Sequence, residues 1–264
     1  MSTSHQMTGV QLLTGGSQEK IELPPEYVVG QRATMDMDMN VDLAADFDGQ
    51  SEDVGVGLTM TLTSEVTEAT EAGSTVEMTV DAIDGRIFGR GEDEILAEME
   101  PLIGKALVVE YDENGNVEYD ENGNQVGTTT LKDGSDLPES LADSFETATA
   151  TAFPNEAIGI GSRWSSVTTS NSVGFELEIT TVYELTDITE DELIIAVTQD
   201  LPVDEEVDGS QLSGTLKGSG ELRLARDNPL VLDMQYDQQA DFSFDQDGNS
   251  GEVDVTINMA VDAR

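Results

Sequence analysis

From Thr34 onward the chain alternates with period two: Met35, Met37, Met39, Val41 and Leu43 fall on one side, and Asp36, Asp38, Asn40 and Asp42 on the other. Successive side chains of a strand point to opposite faces, so the pattern predicts a long strand with one buried face and one hydrated, acidic face. It returns in Val54, Val56, Leu58, Met60 and Leu62, alternating with Gly and Thr. It returns again in Val76, Met78 and Val80, alternating with Glu77, Thr79 and Asp81. Turns around Gly49 and Gly73 separate these runs, which predicts an antiparallel meander.

The period changes after Gly91. Ile95, Leu96, Met99, Leu102 and Ile103 lie on one helical stripe, with Glu92, Asp93 and Glu94 in its first turn and Pro101 placed to end or kink it. Strand pattern resumes over 106–111. A second helical stripe follows from Pro138, carrying Leu137, Leu141, Phe145, Ala148 and Ala152 against Glu139, Asp143 and Glu146. Beyond Phe153 the chain alternates again over 163–169, 173–186, 192–201, 211–224, 230–244 and 252–263, giving about eleven or twelve strands in all. A sheet of that width with one apolar face curls as it twists and must hide the face. The predicted fold is mainly β (α+β): a large, curved antiparallel sheet, a half barrel, with two amphipathic helices in its concavity.

Internal similarity divides this domain. Val56, Leu58, Met60 and Val66 match Phe175, Leu177, Ile179 and Leu185 at one constant offset, which also brings Val76 and Met78 onto Ile195 and Val197. Gly30 and Arg32 match Gly161 and Arg163 at a larger offset. The expectation is a single half-barrel domain over 21–264, made of two related halves, 21–136 and 153–264, joined by a helical segment over 137–152. Residues 1–20, rich in Ser, Thr, Gln and Gly, read as a flexible N-terminal arm.

Charge narrows the partners. Against 11 Lys and Arg stand 55 Asp and Glu, a formal charge of -44, which disfavours attraction to nucleic acid or anionic headgroups. The acids are spread along the chain, as on a solvated surface suited to a saline or secreted setting. Cysteine is absent, so no disulfide, thiolate site or cysteine nucleophile exists here. No apolar run reaches the ~20 residues of a membrane-spanning helix.

Catalytic patterns fail. The one histidine, His5, lies in the predicted arm, and no Gly-x-Ser-x-Gly elbow is present. Gly89-x-Gly91 and Gly218-x-Gly220 lack the setting of a phosphate loop and read as turns or bulges. Residues 112–116 and 120–124 repeat Asp-Glu-Asn-Gly-Asn, offering Asp112, Asn114, Asn116, Asp120, Asn122 and Asn124 as oxygen ligands for calcium, the one cofactor in view. Asn-Gly is also a hairpin-turn signal, and Gly115 and Gly123 come one place after the second ligand where an EF-hand loop has its glycine after the third.

A concavity that two helices do not fill is the shape of a lipophilic-ligand site. Its lining is predicted from Met35, Met37, Met39, Leu58, Met60, Met78, Leu96, Met99, Leu141, Phe145, Phe175 and Leu177, with the methionines able to adapt to varied apolar guests or to serve as core filler.

Several motifs carry a resemblance: Tyr27–Gly30, Met35–Met39, Phe153–Trp164, Tyr183–Leu185, Ser213-Gly214, Ser219-Gly220 and Pro229-Leu230. The chain resembles, over about residues 23–263, an uncharacterised family of largely actinobacterial envelope proteins and lipoproteins, and the inferred architecture is similar to the LolA/LppX-type half barrel. The resemblance implies a secreted or envelope location and a lipid or lipoprotein acyl chain as cargo. The lipobox cysteine of the lipoprotein pattern has no counterpart. The leading expectation is a non-enzymatic binding protein for a lipid or other hydrophobic small molecule. The alternative is a structural or interaction module with a solid core and an acidic, calcium-binding surface.

Overall fold

A computed structural model describes residues 7–17, 20–23, 26–47, 50–88, 100–113, 116, 131–133, 153–170, 177–207, 210–246 and 249–264. Its strands are β1 Met7–Gly15, β2 Arg32–Phe47, β3 Gln50–Thr70, β4 Gly73–Phe88, β5 Ala106–Asp112, β6 Ser162–Ser170, β7 Leu177–Ile188, β8 Glu192–Val207, β9 Ser210–Ala225, β10 Leu232–Gln246 and β11 Asn249–Ala263. They form one eleven-stranded sheet in the order β1-β6-β7-β8-β9-β10-β11-β2-β3-β4-β5. Two meanders, β2 to β5 and β6 to β11, meet where β11 pairs antiparallel with β2. The sheet is open, with β1 and β5 as its edges, and is not closed into a barrel.

Turn chemistry and alternation together set the register. Phe47 pairs with Gln50, Val207 with Ser210 and Gln246 with Asn249. Each pair flanks the dipeptide Asp-Gly in the sequence, a strong hairpin signal. With register fixed, the apolar positions of every strand share one face. Leu12, Trp164, Tyr183, Val197, Gly220, Tyr236, Met259, Met39 and Leu58 stand in a single row across nine neighbouring strands.

Three clusters of buried side chains lie on that face. The first spans β2 to β5 and takes in Leu102, Leu131 and Leu230. A second spans β6 to β9 around Trp164, Leu185 and Ile195, with Leu23, Phe153 and Ile158 from flanking segments. The third, Val203, Leu212, Leu216, Ala240 and Phe242, occupies β8 to β10. Trp164 is fully buried and stacks on Tyr183, its ring centroid 5.5 Å away.

Four local arrangements recur at the two offsets seen in the sequence. The Gly30 amide donates to the Val66 carbonyl at 2.9 Å, and the Gly161 amide to the Leu185 carbonyl at 2.7 Å, with both glycines at positive φ. The ion pair Arg32–Glu65 has its counterpart in Arg163–Glu184. A register shift follows Val66 in the β3–β4 pair and Leu185 in the β7–β8 pair. The hydroxyl of Thr70 donates to the Gly73 carbonyl, as that of Thr189 does to the Glu192 carbonyl.

Some expectations change. Residues 7–15, read as part of a flexible arm, form β1, because Val10 and Leu12 alternate onto the second cluster, where Leu12 faces Trp164. The polar composition of the segment masks a two-residue apolar alternation. Of the two expected helices, the described part is a single 3-10 turn, Glu100–Leu102, that buries Leu102 and leaves Ile103 exposed. Pro101, lacking an amide donor, stands inside it. Residues 92–99 of the first expected helix and all of the expected helical segment 137–152 lie outside the described residues.

The opposite face is acidic, and strand pairing sets like charges directly across from one another at Asp241–Asp254 and Asp46–Glu252. Directly opposed like charges destabilise by roughly 0.2–1 kcal/mol each, and added salt screens them. Raising salt from about 0.1 M to about 1 M is therefore expected to raise the melting temperature. Asp254→Asn should raise the low-salt melting temperature and shrink that salt response, both read by thermal unfolding.

Candidate functional site

The predicted lining converges on β2, β3 and β4. Met37 pairs across with Met60, Met39 with Leu58, and Met35 with Leu62, while β11 brings Met259 opposite Met39. Met78 on β4 faces Leu107 of the edge strand. Met37, Leu58, Met60 and Met78 are buried in the first cluster; Met35, Met39 and Met259 pack against it half-buried. Leu177 opens β7 and pairs with Ser170. Leu96, Met99, Leu141, Phe145 and Phe175 lie outside the described residues.

From the methionines an apolar band continues along the middle of the sheet. Val41, Leu43, Val54, Val56, Val255 and Ile257 stand on the same face and are each half-buried. Their neighbours in β8 to β10 form the third cluster. Along one strand direction the surface therefore passes from a buried methionine patch to a half-covered band of branched aliphatic side chains.

Sequence reading missed a polar row on this face. Tyr236 and Gln238 on β10, Gln199 on β8 and Thr181 on β7 are linked by hydrogen bonds of 2.6–2.8 Å. Tyr236 reaches Gln199 by crossing β9 over Gly218, where a Cβ would come within 1.9 Å of the Tyr236 hydroxyl. Gly218 and Gly220 are thus neither turn nor bulge, as expected from sequence, but mid-strand gaps beneath an aromatic ring, in a stretch whose pairing with β8 and β10 runs unbroken. The signal was available: in Val197-Thr198-Gln199-Asp200-Leu201 the alternation fails at Gln199, which takes an apolar phase between Val197 and Leu201.

The oxygen ligands expected for calcium have other partners where they are described. The Asp112 carboxylate accepts from the Asn116 amide at 2.9 Å, and the Asn116 side-chain oxygen accepts from the Phe153 amide at 2.8 Å, tying β5 to the start of the second half. Asn114, Asp120, Asn122 and Asn124 lie outside the described residues. Among the described residues no group of three or more His, Asp or Glu side chains is placed to hold a metal ion.

An open recess of about 380 Å³ is lined by Arg32, Ala33, Thr34, Thr63 and Arg264. Both guanidinium groups are paired, Arg32 with Glu65 at 3.0 Å and Arg264 with Asp36 at 2.7 Å. Its polar wall does not suit an apolar guest.

A family model described as a family of unknown function (DUF6263) matches residues 116–229, less than half of the chain. No curated protein matches the chain. Among solved structures, one of lipovitellin described as showing lipid–protein interactions is similar at a TM-score of 0.39 and 10% identity, over 90% of this chain and 26% of that one. The chain thus spans about a quarter of that protein's length.

The packed tyrosines carry a pH dependence. Tyr27 stacks on Tyr111 with ring centroids 5.4 Å apart. Burial pushes the Tyr111 phenol up to about 12 and the Tyr27 phenol well above its ordinary value, the latter with help from Tyr111. Burial, with Tyr183 nearby, also raises the Tyr236 phenol. An unfolded chain releases these protons near pH ~10 while the folded chain keeps them, so the unfolded state gains as pH rises. Stability is expected to hold below about pH 10 and fall above it. Tyr111→Phe should flatten the part of that fall lying below about pH 12, measured by urea unfolding across the alkaline range.

Proposed function

We propose that the apolar face of the sheet is a binding surface for a lipid or other hydrophobic ligand, and that the protein acts by holding that ligand without covalent chemistry. One observation carries the reading. At the centre of the sheet, Met35, Met39, Val41, Leu43, Val54, Val56, Val255 and Ile257 form a contiguous apolar band that the protein only half covers. Contiguous uncovered apolar surface is costly in water and marks interaction sites in soluble proteins. The methionines beside it supply flexible, polarizable walls that accommodate guests of different shape.

A second reading, an interaction module with a solid interior, is favoured by the burial of Met37, Leu58, Met60 and Met78. Those four side chains leave little room for a guest beneath the first cluster. The two readings part over the half-covered band alone.

Native mass spectrometry of protein purified from its own host, followed by organic extraction, tests the proposal. A stoichiometric apolar adduct is expected, lost in a Met39→Glu variant that keeps the wild-type melting profile. A clean apo mass, unchanged after incubation with a lipid mixture, would overturn the proposal in favour of the interaction module.

A further inference from the structure

The polar row interrupts the apolar face at one level. Register brings Thr181, Gln199, Gly218 and Gln238 abreast on β7, β8, β9 and β10. Apolar side chains flank the row on both sides, Tyr183 and Val197 toward the second cluster and Leu201 and Leu216 toward the third. In the next strands the same level is apolar, with Ile257 and Val41.

The hydrogen-bond count is incomplete. The Gln199 side-chain oxygen accepts from the Tyr236 hydroxyl at 2.6 Å and from Gln238 Nε2 at 2.8 Å, and Gln199 Nε2 donates to Thr181 Oγ1 at 2.8 Å. A carboxamide offers two N–H donors and an oxygen with two lone pairs. Gln238 donates to Gln199 and also hydrogen-bonds the Tyr236 hydroxyl. Its side-chain oxygen has no side-chain partner among the described residues, and neither does the second N–H of Gln199. Whichever way the Gln238 amide is turned, one end remains open. Both glutamines are half-buried, so part of each side chain is accessible on this face.

Maintaining this arrangement constrains the chain. A glycine in a central strand weakens it, and Gly218 is needed because any Cβ there would collide with the Tyr236 hydroxyl. Polar groups on an apolar face are costly unless their bonds are completed. The row contains no charged side chain, and the formal charge of -44 repels anions.

Building on the binding surface proposed above, we infer that Gln199 and Gln238 form its polar subsite, which selects an uncharged lipid. The hydroxyl, ester or amide of that lipid hydrogen-bonds to the open carboxamide groups, while its hydrocarbon lies on the apolar rows beside them. The subsite also fixes the depth at which the ligand sits along the strands. Gly218 and Tyr236 are positioning residues in this scheme, since they act by holding Gln199.

Displacement of a bound apolar fluorophore from delipidated full-length protein by dodecane, 1-dodecanol and dodecanoate, each delivered from cyclodextrin, tests the inference. Dodecanol is expected to bind roughly tenfold more tightly than dodecane, the worth of one good hydrogen bond, and more tightly than dodecanoate. Gln199→Leu and the near-isosteric Gln238→Met should each bring the alcohol-to-alkane ratio toward one. Either variant suffices if the other fails to fold, as judged by its melting profile. A wild-type ratio near one, or a ratio that folded variants leave unchanged while dodecane still binds, would overturn the inference, leave the row a structural device and spare the binding surface. Failure of all three probes to displace the fluorophore, with no adduct in native mass spectrometry, would overturn both.

Discussion

A shift of one residue in the pairing of any strand would turn its carboxylates toward the apolar face and its aliphatic side chains toward water. Side chains alternate with a period of two, so register and burial are a single constraint in this sheet. β2 shows its strength: Met37 and Met39 face Met60 and Leu58, while Asp36 and Asp38 on the reverse accept hydrogen bonds from Thr61 and Thr59. A slipped β2 would bury both acids. The acidic face thereby contributes to specificity even where its charges repel, because it makes every odd-residue slip expensive.

The same constraint explains why the interruptions of the pattern carry the functional argument. Where an apolar phase is occupied by Gln199 and Gln238, register leaves those groups no route to bulk solvent on the other face. They can only bond to one another, to Tyr236 and Thr181, or to whatever lies on the sheet. The methionine patch and the aliphatic band beside it differ in a complementary way, the first closed by its own packing and the second half-open. Hydrophobic burial and hydrogen-bond completion thus point to the same stretch of β8 to β11 and β2.

Alternation made β2, β3, β4 and β11 legible in the sequence residue by residue, and with them the convergence of Met35, Met37, Met39, Leu58, Met60 and Met78 on one face. Local pattern does not encode which strands lie abreast, so the neighbours of Gln199 were out of reach: Thr181 and Gln238 meet it through pairings set by the whole meander. Gly218 and Gly220 were misread for the same reason, since the ring that requires them belongs to Tyr236 on another strand. β1 was hidden within the Ser-, Thr-, Gln- and Gly-rich stretch 1–20, where Val10 and Leu12 make an alternation only two residues long. The Asp112 and Asn116 oxygens proved to be spoken for by backbone amides, one of them at Phe153 on a distant segment.

The pairing of β11 with β2 joins the first strand of one meander to the last strand of the other, with Thr34 and Arg264 exchanging backbone hydrogen bonds of 2.8 and 2.9 Å. Every other interior pairing in the sheet is between strands consecutive in the chain, apart from the one that places β1 on β6. During synthesis β2 to β5 emerge long before β11, so the edge of β2 stands unpaired until nearly the whole chain is available. Long-range closure of this kind slows folding and leaves an adhesive edge open meanwhile. Asp36, Asp38 and Asp42 along the reverse face of that edge would set like charges against each other in any pairing of two such edges, which opposes it.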